Sequence, residues 1–165
     1  MRTIPLVALA ATAALATTAA AEIIVIEVDL SFADEVPAPV VTGFSPTGSA
    51  TVTINTDTLF VEIMGTYSGM TSNVNNAHLH GLAAPGAIAS PIFTLAHDGG
   101  TSGTISGSAT LSAGNFQGLL DGLTYINVHT VNNASGEIRG QVIVPTPGSM
   151  ALMGLAGLTA MRRRR

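Results

Sequence analysis

Three histidines lie in two short stretches whose pattern is typical of β-strands. His78 and His80 belong to the segment 76–81, and His129 belongs to the segment 125–130. Side chains two residues apart in a strand point to the same face of a sheet, so His78 and His80 share a face. If the two strands are neighbours, the three imidazoles converge, and imidazole is a ligand that copper and zinc both accept.

Other polar residues of these strands allow a different interpretation. Asn127 shares a face with His129, and the next strand carries Glu137 and Arg139. A contact between Glu137 and a histidine, or between Arg139 and Asn127, would satisfy buried polar groups across the strands. Two interpretations stay open: the three histidines form a site for Cu or Zn, or they are structural hydrogen-bonding residues.

No catalytic motif stands out. The chain has no Gly-x-Ser-x-Gly, no His-Glu-x-x-His and no phosphate-binding loop. Without cysteine it has no disulfide, no thiolate metal site and no cysteine nucleophile. We therefore expect a structural or binding protein rather than an enzyme. A copper redox enzyme remains an outlying alternative, because copper dismutases also combine a His-x-His strand pair with a later histidine.

The charge distribution argues against nucleic acid as a partner. Lysine is absent, and Arg139 is the only arginine between Arg2 and the cluster at 162–165. All ten acidic residues lie in the same middle segment. Such a surface repels phosphate backbones and anionic lipids and attracts cations, so we expect no nucleic-acid partner.

The first 21 residues have the composition of a secretory signal peptide. Arg2 supplies a positive start, the run 4–15 is apolar, and 19–21 are small residues. These features predict export and cleavage before Glu22.

The segment 145–165 resembles the PEP-CTERM sorting signal of bacterial exported proteins. Its motif consists of Pro145, Thr146, Pro147 and Gly148. Thr146 stands where that signal usually has glutamate. An apolar run at 149–161, shorter than a full membrane span, and four arginines follow. The resemblance implies removal by an exosortase-type enzyme, whereas the alternative is a membrane anchor through 149–161.

Residues 22–144 predict one all-β domain. Short runs of alternating or β-branched residues, separated by turn residues, predict about eight strands, including a hairpin of 49–55 with 59–67. Helical spacing of apolar residues within 112–123 predicts one short helix with Ser112 as its cap. Closely spaced short strands predict an antiparallel, immunoglobulin-like sandwich with Greek-key connections.

Several motifs in their order resemble the CHRD domain, which is named for chordin and is widespread in bacterial exported proteins. The matching residues are 35–37, 77–81, 120–130, 133 and 136–142. The resemblance covers about 31–142 and implies a β-sandwich related in shape to Cu,Zn superoxide dismutase. Together with the segments 1–21 and 145–165, the resemblance predicts a secreted protein of a bacterial cell surface or extracellular matrix. Its expected partners are matrix or envelope components.

Overall fold

Antiparallel strands make up almost the whole fold. The computed structural model describes residues 22–145. The strands are β1 (Ile23–Ser31), β2 (Thr47–Asn55), β3 (Phe60–Ser68), β4 (Val74–Gly81), β5 (Pro91–Thr94), β6 (Ala96–His97), β7 (Gly103–Thr110), β8 (Thr124–Thr130) and β9 (Ile138–Val142), and the helix α1 is Ala113–Leu120. The predicted signal peptide, and the predicted sorting segment after Pro145, lie outside the described residues.

The nine strands form one sheet that nearly closes on itself. Its order is β5-β4-β8-β9-β1-β2-β3-β7-β6, and the paired strands are antiparallel. The first and last strands of this order, β5 and β6, are separated in the chain by Leu95 alone. The N–H of Leu95 donates to the carbonyl of Ala77 in β4 at 2.8 Å, which draws the two ends of the sheet together.

The predicted all-β antiparallel sandwich with one short helix is confirmed. Neighbours such as β9–β1 and β3–β7 are far apart in the chain, as crossover connections require. The sequence predicts one short strand over 91–96 that ends before His97. The structure has two strands here, because 91–94 pair with β4 whereas 96–97 pair with β7.

Alternation builds the hydrophobic core. In β1, Ile26, Val28 and Leu30 are buried and the residues between them face solvent. β8 departs from this rule, since all seven of its residues are buried. Ile126 and Val128 belong to the core. The opposite face of β8 is therefore covered as well, and the covering comes from loops rather than from a second sheet.

Helix α1 begins at the residue expected for its cap. The Ser112 hydroxyl accepts a hydrogen bond from the N–H of Asn115 at 3.3 Å. Phe116 and Leu119 are buried in the core cluster, so the helix covers one end of the sandwich.

Gly140 marks a place where two strands approach too closely for a side chain. A Cβ at this position would collide with the carbonyl oxygen of Asp29 and with the side chains of Val28 and Leu30. We expect Gly140→Ala to lower the free energy of unfolding by about 2 kcal/mol or more, because the neighbouring backbone cannot move aside. Urea denaturation measures the change.

Gly114 is the matched control, because a Cβ built there meets nothing within 4 Å. Gly114→Ala lies in α1 and should leave stability unchanged or raise it by up to about 1 kcal/mol. Equal stability of the two variants would contradict the steric account of Gly140.

Candidate metal centre

The structure brings His78, His80 and His129 together on one face of the β4–β8 pair. The register places His78 opposite Asn127 and His80 opposite Tyr125. The ring centroids are 5.2 Å apart for His78–His80, 5.1 Å for His78–His129 and 5.7 Å for His80–His129. One nitrogen from each ring lies within 4.8 Å of the other two. This face is opposite to the hydrophobic core.

Main-chain carbonyls orient two of the three rings. Nδ1 of His80 lies 2.8 Å from the carbonyl oxygen of Ala89, and Nδ1 of His129 lies 3.1 Å from that of Ala134. A carbonyl oxygen can only accept, so each Nδ1 carries the hydrogen and each Nε2 carries the lone pair. Histidines that bind metals are commonly oriented in this way by a hydrogen bond from the other ring nitrogen.

The Nε2 lone pairs of His80 and His129 differ in their partners. Nε2 of His80 is buried and accepts no hydrogen bond from the described residues. Nε2 of His129 accepts from Nδ1 of His78, 3.2 Å away. Leaving a buried acceptor unpaired costs roughly 1–3 kcal/mol. A cation bound between the rings would remove this cost at His80.

All three imidazoles are held neutral at pH 7. The pKa of His129 is lowered to about 4, mainly by burial and to a lesser extent by the nearby His78 and His80, against the opposing effect of the Ala134 carbonyl. Burial is also the main cause that lowers the pKa of His78 and of His80. Neutral rings offer the lone pairs that metal coordination needs.

The spacing of the rings suits a metal after a small adjustment. Zn–N bonds of ~2.0–2.1 Å in tetrahedral geometry place ligand nitrogens about 3.3 Å apart. The nitrogens here lie within 4.8 Å of one another, so the rings must move closer together to hold one ion. His78 is the most exposed of the three, and its Nδ1 lies 3.2 Å from Nε2 of His129. No fourth histidine or carboxylate of residues 22–145 joins the group, which leaves a position for solvent.

A stack of three side chains fastens the loop that supplies the Ala89 carbonyl. The guanidinium of Arg139 lies 3.5 Å from the ring centroid of Tyr125, whose ring stacks on His80 at 4.8 Å. Arg139 also donates to the carbonyl of Ala87 at 2.8 Å, and the Tyr125 hydroxyl bonds the Ala89 backbone. Arg139 is buried with an exposed fraction of 2%. It therefore holds residues 82–90 over the site rather than facing solvent.

Glu137 performs the same task for the loop that supplies the Ala134 carbonyl. Its carboxylate accepts hydrogen bonds from the N–H of Thr71 at 2.6 Å, from the Thr130 hydroxyl at 2.5 Å and from the Asn133 amide at 2.8 Å. Asn133 in turn bonds the backbone of Val40. These bonds tie residues 131–137 to the sheet.

Glu137 and Arg139 form hydrogen bonds with other partners than those expected from the sequence. Glu137 was expected to meet a histidine, but its hydrogen bonds go to Thr71, Thr130 and Asn133. Arg139 lies directly opposite Asn127 in the β8–β9 register, but it donates to Ala87 and Gln141 instead. Their alternation with the apolar Ile138 and Val142 predicts an outward face for both, and both are buried because the loops cover that face.

Glu35 belongs to the CHRD-like motif 35–37, but its burial and a role in the site were not predicted. Only 4% of its surface is exposed, and its Oε1 accepts from the Asn127 amide at 3.3 Å. Burial raises the pKa of Glu35 to about 7, although hydrogen bonds from Val36 and Asn127 and the charge of Arg139 act in the opposite direction. An Asp-Glu pair in a proline-rich loop carries no signal for such burial.

The comparison with known families agrees with this architecture. Residues 26–142 match the CHRD domain. The chain belongs to the CHRD domain family. No curated protein and no solved structure matches the chain. The CHRD domain is typically an extracellular β-domain with a binding or structural role. Within residues 22–145, no helix has the length and hydropathy needed to cross a membrane.

Glu35 and Glu137 should give this CHRD domain opposite pH dependences of stability. The raised pKa of Glu35 gives a contribution that is present below its ordinary pKa of 4.5 and is lost as the pH rises through about 7. Burial opposes ionisation of Glu137, but its hydrogen bonds from Thr130, Thr71 and Asn133 prevail and lower its pKa. Its contribution is present above pH 4.5 and is lost as the pH falls below the lowered pKa.

Two isosteric variants separate these effects in urea denaturation between pH 4 and pH 8. Glu35→Gln should match the native protein at pH 4 and exceed it by about 2 kcal/mol at pH 8, after allowance for screening by solvent. Glu137→Gln should lose about 3 kcal/mol at pH 7, because an amide nitrogen cannot accept its hydrogen bonds. A stability difference for Glu35→Gln that does not vary with pH would contradict the assignment.

Proposed function

We propose that this extracellular CHRD domain binds a transition-metal ion, copper or zinc, through His78, His80 and His129. The observation that carries the proposal is the group of three imidazoles with one nitrogen of each within 4.8 Å of the other two, of which His80 and His129 are held at Nδ1 by main-chain carbonyls. Buried ring nitrogens are usually hydrogen-bonded when a histidine has only a structural role. The buried Nε2 of His80 has no such hydrogen bond among the described residues.

The ligand set favours borderline metal ions. Three neutral imidazoles without a thiolate suit Zn²⁺ and Cu²⁺ better than the hard ions Mg²⁺ and Ca²⁺, which prefer oxygen ligands. The acidic domain raises the local concentration of any cation. Three protein ligands and a solvent position at the exposed side of His78 give a site with an exchangeable ligand. The proposal is one of binding, and no reaction is assigned to the site.

Calorimetric titration of the purified full-length protein with Zn²⁺ and with Cu²⁺ tests the proposal. We expect one ion per chain, and we expect nitrogen hyperfine lines in the electron paramagnetic resonance spectrum of the Cu²⁺ complex. The His78→Ala, His80→Ala double variant should bind at least about a hundredfold more weakly, because one remaining imidazole cannot chelate an ion.

His97→Ala is the matched control, since it removes a histidine that does not belong to the group of three. It should bind both ions as the native protein does, and circular dichroism should show that every variant is folded. Equal weak binding by the native protein and the double variant would leave the histidines with a structural role only.

We also propose that the protein is secreted by a bacterium and sorted to the cell surface or extracellular matrix by an exosortase-type enzyme. The support is the composition of 1–21 and of 145–165. A location at the cell surface or extracellular matrix implies matrix or envelope components as partners. The apolar run 149–161 would contact the membrane until it is cleaved, or permanently if it is not cleaved.

Mass spectrometry of the protein from a host with an exosortase-type enzyme tests this address. The mature protein should begin at Glu22 and lack the apolar run 149–161. Pro147→Ala should keep the tail, because it alters the recognition motif, whereas the control Gly154→Ala should be processed normally. A mature native protein that retains 149–161 would instead be a membrane-anchored one.

A further inference from the structure

The polar face that holds the three histidines also holds a buried carboxyl group. Glu35 contacts Asn127, whose strand neighbours on that face are His78, directly opposite in β4, and His129, two residues along β8. Opposed side chains in a sheet have Cβ atoms ~5 Å apart, and alternate residues of one strand are about 7 Å apart. Glu35 is thus one residue removed from two of the three imidazoles.

One oxygen of the Glu35 carboxyl group has no hydrogen-bond partner in the fold. Its Oε2 is buried and has no partner among residues 22–145, and the Oδ1 of Asn127 is in the same condition. Both atoms lie within 2.5 Å of the position where a Cβ of Gly136 would stand, so they face the same point. A proton on the carboxyl group would supply the hydrogen that these two neighbouring acceptors lack.

The other titratable groups of this region are already hydrogen-bonded, neutral or exposed to solvent. Arg139 on β9 donates to Ala87 and Gln141, and it is the charged group that acts on Glu35. Glu137 is held ionised by its hydrogen bonds from Thr71, Thr130 and Asn133. The three histidines are neutral, and Asp34, next to Glu35 in the chain, is exposed. A divalent ion on neutral imidazoles would therefore add two uncompensated positive charges to this face.

We propose that Glu35 provides the compensating charge, so that binding of a divalent metal ion at the three histidines releases the proton of Glu35 to solvent. The inference rests on the proposed metal site. The bond that breaks is the O–H of the Glu35 carboxyl group, and the carboxylate that remains lowers the net charge of the loaded site by one. Glu35 does not ligate the ion. Its carboxylate interacts with the ion electrostatically, with Asn127 lying between them.

The size of the effect follows from the protonation of Glu35 in the metal-free protein. Burial raises its pKa to about 7, so the group is half protonated at pH 7 and mostly protonated at pH 6. Two positive charges nearby lower that pKa strongly, because a low-dielectric interior screens them weakly. We expect about 0.5 proton released per metal ion at pH 7, about 0.9 at pH 6 and about 0.1 at pH 8.

Calorimetric titration of the full-length protein with Zn²⁺, in two buffers of different ionisation enthalpy, counts the protons released at each pH. Glu35→Gln keeps the shape of the protonated carboxyl group and supplies an N–H donor beside the Oδ1 of Asn127, so it should fold. It should release fewer than about 0.1 proton at pH 6 and pH 7. Its affinity for Zn²⁺ should also be at least about tenfold weaker than the native affinity at pH 8.

Glu27→Gln is the matched control, because Glu27 is an exposed carboxylate on the solvent face of β1 that bonds Thr51. It should release as many protons as the native protein. Binding of Zn²⁺ with the same proton count in the native protein and Glu35→Gln would overturn the role of Glu35 while the metal site stands. Absence of Zn²⁺ binding to the native protein would overturn both.

Discussion

The need to satisfy polar groups in a second buried layer governs this structure. β8 and β9 are covered on both faces, by the hydrophobic core on one side and by loops on the other, whereas the polar face of β4 is only partly covered. A face closed off from water must find internal partners for every donor and acceptor. The carbonyls of Ala89 and Ala134 are two such partners, and they decide how His80 and His129 are turned.

The polar side chains of the structural interpretation hold the loops that surround the three histidines. Arg139 and Tyr125 fasten residues 82–90, and Glu137 with Asn133 fastens residues 131–137. Each loop then offers a carbonyl to one imidazole. The polar side chains that were expected to contact the histidines directly instead hold the loops whose carbonyls contact the rings. Their removal would alter the orientation of the rings as well as the stability of the fold.

Electrostatics divides this layer into groups that are kept charged and groups that are kept neutral. Arg139 is buried against the Tyr125 ring, and Glu137 has enough donors around it to remain ionised. Burial lowers the pKa of the histidines and raises the pKa of Glu35 to about 7. The centre of this layer therefore carries little net positive charge, and Glu35 is the carboxyl group that we propose to lose its proton when a cation binds.

Local pattern was enough to predict most of the strands, the Ser112-capped helix and the shared face of His78 and His80, because strand and helix periodicities depend on neighbouring residues only. It also predicted that Asn127 and His129 share a face of β8. The burial of the opposite face, and with it the positions of Glu35, Glu137 and Arg139, depended on where distant loops fold back over the sheet. The carbonyls of Ala89 and Ala134 carry no residue-type signal at all, since every residue has one. Only the tertiary structure could bring them to the rings, because loop closure over a sheet is set by contacts among segments far apart in the chain.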